Sequence, residues 1–390
     1  MELYIIIEMP YNKNICIVGP SKRFLSGISY YTIRLANAMS KSNKVSVVLF
    51  RELLPKFLFP GKEHVGKNLS DLEFNKSIKV FDGMDYNSPI SWIKGYNFIK
   101  KQNPEVIILQ WWTSSVAHIH LILKMFNIFF KSKMIIEFHE VVDPLEESIY
   151  PIRLYSRVTG RLLRRNLSGY VVHSNSDKKL ISEKYNIPRD KIHVIPHGLY
   201  DQYLPIDKNL AKEKLNIKKE FIILFFGLIR KYKGVSYLID SFNKLPKEII
   251  KNSRLIIAGE IWEDDNIKEK IKASIYKDKI TLIPKYISDA LIPIYFSAAD
   301  VVALPYLRAS QSGVAHIAVN FGKPIIVSEV GGLKESMADY EGTIFVPPAD
   351  SNAIANAIIK CYKHNKVYKP QERDWNTIVE MYQKVLYKSI

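Results

Sequence analysis

The chain has 390 residues, which is enough for two or three domains and a sizeable hydrophobic core. Hydrophobic residues make up 47% of it and charged residues 24%, a composition that excludes disordered and collagen-like proteins. Lysine and arginine total 56 against 39 acidic residues, and the net charge of +17 favours a negatively charged partner such as nucleic acid, an anionic membrane surface or a phosphorylated small molecule.

The first residues of the chain do not resemble an export signal. Their apolar run, residues 3–7, is short, has an acidic residue on each side and lacks the basic start and small-residue cleavage site. The longest stretch without Lys, Arg, Asp or Glu, residues 106–123, contains too many polar side chains for a membrane-spanning helix. Cys16 and Cys361 lie far apart with no CxxC motif, so neither a disulfide framework nor a cysteine-built zinc site is expected. We therefore expect a cytoplasmic protein in a reducing compartment.

Short apolar segments alternate with helix-length segments from one end of the chain to the other. This alternation is typical of parallel strands joined by crossover helices. Residues 28–39 carry apolar side chains at helical spacing and predict a helix with one buried stripe, directly after the first strand and its loop. The first series of predicted strands covers residues 15–18, 45–50, 106–109, 134–138, 169–173 and 193–195.

A second series of strands follows a break in this pattern. Residues 198–219 are polar, contain Pro205 and interrupt the strand rhythm, which predicts a linker between two domains. Residues 375–387 predict a terminal amphipathic helix. The sequence thus predicts an α/β fold with two doubly wound parallel-sheet units. The second series of predicted strands covers residues 221–226, 255–258, 280–283, 301–304, 325–327 and 344–346.

Loops at the carboxyl ends of the predicted strands are the expected ligand sites, because open α/β sheets bind ligands there. The loop 19–27 ends in Gly27, and a glycine before a helix lets the backbone approach a ligand, although it equally serves packing. No GxGxxG motif occurs in this loop, so a nicotinamide or flavin cofactor is not supported. After the strand 134–138, His139 would project into an interdomain cleft as a hydrogen-bond donor or proton handler.

Two loops of the second predicted domain suit a diphosphate. Arg230 and Lys233 follow the strand 221–226 and provide two cations beyond its carboxyl end. The run 306–314 leads into a helix whose free N-terminal amides would bind phosphate, although Ser312 is also an ordinary helix cap. Because both loops belong to one predicted domain, we expect them to form a single anion site.

Several signatures of other enzyme classes are missing. The chain has no DxD motif, so neither divalent-metal dependence nor a metal site is expected. It also lacks GxSxG and GxxxxGK[ST], which excludes the common hydrolase and nucleoside-triphosphatase signatures. No cofactor is therefore expected.

The motifs, in their order along nearly the whole chain, resemble those of glycosyltransferase family four. The resemblance is specific in the C-terminal half and moderate in the N-terminal half. In the N-terminal half it rests on residues 26–32, 138–139 and 194–198. In the C-terminal half it rests on residues 227–234, 258–262, 286–289, 297–300, 304–306, 310–313, 322–324, 331–332 and 335.

The resemblance implies a GT-B architecture, in which two Rossmann-like domains face a central cleft. The implied units are an acceptor-side domain over residues 1–203, a nucleotide-sugar domain over 204–368 and a helix over 369–390 that crosses back to the first domain. Members of the family transfer a sugar with retention of anomeric configuration and without a bound metal.

The resemblance also implies roles for individual residues. Arg230 and Lys233 would hold the donor diphosphate, which fits their chemistry because preorganised cations stabilise the charge that develops on a leaving group. The other implied contacts are His139 to the transferred sugar, Gly27 to the donor from the opposite domain, Ser312 and Gly313 to the diphosphate through their amides, and Val314 beside them.

The chain departs from the family pattern at a pair of glutamates. Their places fall at Ala309 and Ile317, neither of which is acidic, so the positions expected to hold sugar and ribose hydroxyls are apolar. The chain resembles a subset with Ser-Gln-Ser-Gly here, in which Gln311 would supply the lost hydrogen bonds. Family members often have an arginine just after the glycine that ends this strand, here Gly227. In this chain that position holds Leu228, and Arg230 follows two residues later.

The leading hypothesis is a retaining, metal-independent hexosyltransferase that moves a sugar from a nucleoside-diphosphate sugar to a glycan or lipid-linked acceptor. A non-catalytic donor-binding relative and a sugar-nucleotide epimerase remain alternatives. Nucleic-acid binding comes last, because no basic motif with interleaved aromatic residues occurs.

Residues 121–134 and a series of arginines would place the protein at the anionic inner face of a membrane, although a solvated basic face explains them equally. The arginines are Arg153, Arg157, Arg161, Arg164 and Arg165.

Overall fold

The computed structural model describes residues 12–22, 27–52, 72–141, 150–217, 219–262, 264, 266–364, 366–370 and 374–388. The apolar run at residues 3–7 and Ser26, both used above, lie outside the described residues. Among the described helices, none has both the length and the apolar character that crossing a bilayer requires.

The N-terminal domain is built on a sheet of seven parallel strands. They are β1 (Asn14–Pro20), β2 (Lys44–Glu52), β3 (Lys79–Asp85), β4 (Val106–Trp111), β5 (Lys133–Phe138), β6 (Gly169–Val172) and β7 (Ile192–Val194). Their order is β3-β2-β1-β4-β5-β6-β7, so the winding changes direction between β1 and β4. The helices of this domain are α1 (Gly27–Met39), α2 (Pro89–Gln102), α3 (Ala117–Phe126), α4 (Tyr150–Leu163) and α5 (Asn175–Tyr185).

The C-terminal domain repeats this plan with six parallel strands. They are β8 (Phe221–Phe226), β9 (Ser253–Ala258), β10 (Ile280–Ile283), β11 (Val301–Leu304), β12 (Ile325–Ser328) and β13 (Thr343–Val346). Their order is β10-β9-β8-β11-β12-β13, and the winding changes direction between β8 and β11. The remaining helices are α6 (Lys208–Lys214), α7 (Val235–Asn243), α8 (Lys247–Lys251), α9 (Asn266–Ala273), α10 (Ile292–Ala298), α11 (Gly313–Asn320), α12 (Gly331–Met337), α13 (Ser351–His364) and α14 (Trp375–Lys388).

The last helix belongs to the core of the first domain. Helix α14 packs against α1, where Trp375, Ile378 and Tyr382 are buried together with Tyr31. The indole Nε1 of Trp375 also donates a 3.0 Å hydrogen bond to the carbonyl of Leu199. The apolar stripe that predicted an amphipathic helix is therefore the surface that covers one face of the N-terminal sheet.

The predicted α/β fold with two doubly wound sheets is confirmed, and the twelve predicted strands are present with ends displaced by at most two residues. The sequence reasoning missed β3, since this edge strand has no continuous apolar run and is only partly buried. The segment 198–219 is not the plain polar linker that was predicted. Tyr200 and Tyr203 are buried, and the side-chain amide of Asn320 donates a 3.0 Å hydrogen bond to the carbonyl of Tyr203.

Candidate functional site

A cleft of about 410 Å³ lies between the two domains. It is lined by loops that follow β1 and β5 on one side and β8, β9 and β11 on the other. These loops begin at the carboxyl ends of strands beside the two points where the winding reverses, which is where such sheets bind ligands. Every residue that the sequence analysis assigned to a substrate lines this cleft: Gly27, His139, Arg230, Lys233, Gln311, Ser312, Gly313 and Val314.

Lys233 is linked to the start of α11 through one tyrosine. Its Nζ donates a 3.0 Å hydrogen bond to Tyr306 Oη and lies 4.1 Å from the centre of that ring. The hydroxyl of the buried Tyr306 lies 3.3 Å from Ser312 Oγ. Ser312 is the N-cap residue of α11, where its Oγ accepts a hydrogen bond from the amide of Ala315. An ammonium group and the open end of a helix therefore belong to one hydrogen-bonded chain in the wall of the cleft.

A glycine fixes the loop that carries Lys233. Gly234 has a φ of +68°, and a Cβ at this position would lie 1.9 Å from the carbonyl oxygen of Pro305. Only glycine accepts both the left-handed backbone and this close approach. The loop after β8 consequently packs directly on the loop after β11, which brings Lys233 to Tyr306.

A second tyrosine gathers three cations. The ring centre of Tyr232 lies 5.9 Å from the guanidinium carbon of Arg230, 5.5 Å from that of Arg308 and 5.5 Å from Lys233 Nζ. Burial alone would lower the pKa of Lys233, but the neighbouring Tyr306 and Tyr232 raise it above its usual value. The cluster therefore presents positive charge to the cleft. Arg308 was missed from the sequence, although it follows β11 much as Arg230 follows β8.

The first turn of α11 faces the cleft with free donors. Gly313 and Val314 begin the helix, so their amides have no partner within it. Gln311 Oε1 lies 3.4 Å from His316 Nε2, while Gln311 Nε2 is buried and has no hydrogen-bond partner among the described residues. One turn later, Ile317 adds an apolar side chain to the lining. This surface offers hydrogen-bond donors and no carboxylate.

His139 is held by a second histidine. Its Nδ1 lies 3.3 Å from His173 Nε2, and His173 Nδ1 lies 2.9 Å from the carbonyl oxygen of Ile195. Because a carbonyl only accepts, His173 donates through Nδ1 to Ile195. Burial and the nearby His173 and His197 hold the pKa of His139 well below its usual value. His139 Nε2 has no hydrogen-bond partner among the described residues and lies 3.8 Å from Glu137 Oε2.

A buried carboxylate lies behind these histidines. Glu137 accepts hydrogen bonds from Tyr382 Oη of α14 and, at 3.3 Å, from Gln110 Nε2. Glu137, His139 and His173 each offer one potential metal-ligand atom, and these atoms lie within 4.8 Å of one another. The carboxylate is already satisfied by neutral donors, so the cluster is accounted for as a hydrogen-bonded network. The expectation that no metal binds stays a prediction.

Glu140 extends from the N-terminal domain toward the cation cluster across the cleft. Its side chain is exposed at the cleft, where the surrounding walls reduce its hydration and raise its pKa to about 7, while Lys233, Arg308 and Arg230 act in the opposite direction. Since these cations belong to the other domain, Glu140 is a carboxylate that titrates near neutral pH opposite the candidate anion site. The sequence reasoning did not single it out, although it directly follows His139.

Two contacts show how closely the domains approach. The hydroxyl of Tyr200 donates a 3.2 Å hydrogen bond to the carbonyl of Gly27 and would lie 2.7 Å from a Cβ at Gly313. The carboxylate of Glu335, on α12, accepts hydrogen bonds from the amides of Asn175 and Ser176 at 2.7 and 3.1 Å. Glu335 therefore caps the N-terminus of α5 in the other domain, where a negative charge suits the helix dipole.

Two family models match the chain, one for each domain. Residues 25–202 match the model described as Glycosyltransferase Family 4. Residues 207–376 match the model described as Glycosyl transferases group 1. Together the two matches extend from the start of α1 to the start of α14.

Curated relatives match part of the chain. A segment of 190 residues is 32% identical to an uncharacterized glycosyltransferase of Methanocaldococcus jannaschii and covers 47% of each protein. Mannosylfructose-phosphate synthase of Agrobacterium fabrum is 24% identical over 70% of this chain and 64% of its own length. The chain thus spans about half to just under two thirds of the length of these relatives.

Solved structures match nearly the whole chain. HepE of Anabaena in complex with UDP and glucose superposes with a TM-score of 0.69 at 17% identity, covering 96% of this chain and 98% of that one. Sucrose-phosphate synthase of Thermosynechococcus elongatus superposes with a TM-score of 0.67 at 17% identity, covering 96% of both chains. At this low identity the likeness concerns the fold alone.

Proposed function

We propose that this chain, a GT-B glycosyltransferase whose two domains match the models of Glycosyltransferase Family 4 and Glycosyl transferases group 1, transfers a hexose from a nucleoside-diphosphate sugar to a glycan or lipid-linked acceptor. The transfer retains the anomeric configuration of the sugar and needs no bound metal. The reaction takes place in the cytoplasm, at the inner face of the membrane when the acceptor is lipid-linked.

One observation carries this proposal: the chain of contacts from Lys233 through Tyr306 to Ser312 at the start of α11. A diphosphate in this part of the cleft meets a fixed ammonium group and unpaired helix amides together. Both stabilise the negative charge that grows on the diphosphate as its bond to the sugar breaks, and neither has to reorganise. Arg230 and Arg308 add positive charge around the same tyrosine.

The cleft also suits the rest of a sugar nucleotide. Its volume of about 410 Å³ falls within the range of small-molecule sites. Gln311 Nε2, which has no hydrogen-bond partner among the described residues, is a donor for a sugar hydroxyl, and His139 lines the same cleft. Anabaena HepE forms complexes with UDP and with UDP-glucose, which makes UDP and its sugars the first compounds to test.

The apolar Ile317 favours the main alternative, a relative that binds donors without catalysis. In that case the cleft would bind a sugar nucleotide but no acceptor would be glycosylated. A sugar-nucleotide epimerase would instead convert the donor with no acceptor present.

A panel of nucleoside diphosphates and their sugars tests the proposal. A bound donor at about 100 times its dissociation constant should stabilise the folded chain by about 2.7 kcal/mol, visible as a thermal shift that Lys233→Ala removes. The stabilising donor is then supplied with glycan and lipid-linked acceptors, and the anomeric configuration of the product is determined by NMR. Donor binding without turnover on any acceptor would favour the non-catalytic alternative, and no binding at all would refute both.

A further inference from the structure

A second cavity, of about 640 Å³, lies on the N-terminal domain away from the cleft. It is formed where α4 and α5 end and β6 begins, and hence at the edge of the sheet opposite the carboxyl ends of the strands. No acidic side chain occurs among the described residues that line it. Its cationic lining residues are Arg157, Arg161, Arg164, Arg165, Lys184 and Lys191.

The floor of this cavity is a guanidinium group held in a fixed place. Arg164 is only 7% exposed, and its guanidinium carbon lies 3.6 Å from the ring centre of Tyr185. The side chain folds back over Gly160, where a Cβ would lie 2.7 Å from its Nη1. The hydroxyl of Tyr170, at the other wall, donates to the carbonyl of Arg164. Such packing orients a planar cation for an anion, which a freely solvated arginine does not do.

Among the described residues that line the cavity, no carboxylate offsets these six cations. The C-terminal ends of α4 and α5 each carry roughly half a negative charge, so together they offset about one cation. The end of α4 is also already neutralised, because Lys124 Nζ donates hydrogen bonds of 2.8 and 3.1 Å to the carbonyls of Leu162 and Leu163. The cavity is therefore strongly positive and suits a phosphate group, which arginine forks bind with two hydrogen bonds.

The surface beside the cavity is apolar. Leu154, Val158 and Leu162 repeat at every fourth residue of α4 and are 50%, 49% and 44% exposed. Just beyond α3, which packs against α4, Ile128 and Phe129 are 75% and 74% exposed. A soluble phosphate compound needs no such surface, whereas a lipid places its phosphate beside acyl chains. Basic and apolar side chains on one outward face are typical of helices that lie in the plane of a membrane interface.

We propose that this cavity binds the phosphate of an anionic lipid headgroup while the outward face of α4 and residues 128–129 lie on the bilayer. The site is distinct from the cleft and goes beyond the sugar transfer proposed above. Helix α4 is the first described element after β5 and the loop that carries His139 and Glu140, and a helix between parallel strands starts at the edge of the sheet where the preceding strand ends. The mouth of the cleft would then open close to the bilayer surface, within reach of a lipid-linked acceptor.

Vesicle co-sedimentation of the full chain tests the site. Phosphatidylcholine vesicles containing phosphatidylglycerol should bind the protein, and vesicles of phosphatidylcholine alone should bind it far more weakly. Each arginine near an anionic surface contributes roughly a fivefold factor, so the triple variant R157Q/R161Q/R165Q should bind roughly a hundredfold more weakly. The matched control K247Q/K251Q/K268Q removes the same charge from exposed sites on the C-terminal domain and should bind like the original protein.

Two further variants separate a headgroup site from diffuse attraction. R157K/R161K/R165K keeps the charge but loses the paired hydrogen bonds, so it should bind several-fold more weakly. L154S/V158S/L162S keeps the cavity but loses the apolar face, and it should also bind more weakly. Full binding by the lysine variant would overturn the headgroup site. An equal loss of vesicle binding in the C-terminal control K247Q/K251Q/K268Q would show that the binding site does not lie at this cavity.

Further binding measurements distinguish a lipid headgroup from other phosphate-containing ligands. If glycerol phosphate stabilised the protein in an arginine-dependent way while no vesicle bound it, the ligand would be soluble and the lipid proposal wrong. Preferential binding to single-stranded RNA over vesicles would equally overturn it. None of these measurements uses a sugar nucleotide, and the thermal shift with UDP should be unchanged in the arginine variants. A negative result for the lipid site can therefore be distinguished from a negative result for sugar transfer.

Discussion

Tyr30, on the first helix of the N-terminal domain, donates a 2.6 Å hydrogen bond from its hydroxyl to the carboxylate of Asp289 in the C-terminal domain. Tyr203, from the segment between the domains, donates to the same oxygen at 3.2 Å. All three side chains line the cleft. The described arrangement is therefore a closed one, in which a single carboxylate joins both domains and the segment between them.

Removing the Tyr30 hydroxyl should loosen this closure. We expect Tyr30→Phe to lower the free energy of unfolding by about 0.5 to 1.5 kcal/mol, the usual net worth of one hydrogen bond. Urea denaturation measures this loss. In a double-mutant cycle with Asp289→Ala the two effects should not add, because each change alone removes the same contact. Strictly additive losses would mean that the contact contributes nothing to stability.

The cations of the loop after β8 should be essential for transfer. We expect Arg230→Ala and Lys233→Ala each to reduce turnover about a hundredfold or more, the loss typical of removing one preorganised group from a developing charge. Lys231→Ala is the matched control, because Lys231 lies in the same loop but is exposed. Circular dichroism should show all three variants folded. Near-normal rates for either cleft variant would refute the assigned role.

Donor binding should weaken as the pH rises through neutrality. Reduced hydration raises the pKa of Glu140 to about 7 from the 4.5 of a free glutamate, so the carboxyl is neutral below pH 7 and charged above it. The charged form repels a diphosphate in the cleft. In the protein without donor, the contribution of Glu140 to stability is greatest below pH 4.5 and falls between pH 4.5 and 7, because the folded state binds this proton more tightly.

Titration calorimetry at several pH values checks this dependence. Glu140→Gln should bind the donor equally well on both sides of neutral pH, because a glutamine does not titrate. His364→Gln is a suitable control, since His364 lies at the end of α13, outside the residues that line the cleft. The proposed role fails if the pH profile of Glu140→Gln matches that of the original protein.

Chelation should leave the reaction intact. The buried network of Glu137, His139 and His173 has its carboxylate satisfied by Tyr382 and Gln110, so we expect neither zinc nor another divalent ion to be retained. Metal analysis of the purified protein and transfer assays in EDTA check this expectation. Stoichiometric metal together with activity lost in EDTA and restored by one specific ion would contradict it.

Local sequence patterns were sufficient for twelve of the described strands and for residues that line the cleft. The run 221–226 is apolar throughout and buried on both sides, so its bounds were predicted to the residue. Lys233 and Ser312 were expected in one site because their loops belong to one predicted domain. In the structure they follow β8 and β11, which are neighbours in the sheet. Edge strand β3 carries Asp82 and Gly83 in place of an apolar run, which hid it from a hydrophobicity pattern.

Contacts between distant segments could not be predicted in this way. Glu137 interrupts an apolar strand and is buried because Tyr382, 245 residues later, supplies a donor. Likewise Glu335 caps a helix of the opposite domain, which no pattern around residue 335 indicates. Such pairings depend on the interface between the two domains. The segment 198–219, which was predicted to be a plain linker, contributes Tyr200 and Tyr203 to that interface.

The return of α14 to the first domain makes the C-terminal domain an insertion between two parts of the N-terminal one. Residues Trp375, Ile378 and Tyr382 complete a core that begins with Ile15 and Tyr31. A chimera that exchanges the donor-side domain with that of a relative would therefore need two splice points, one on each side of the insertion. A single splice between the domains would pair the first sheet with a foreign terminal helix.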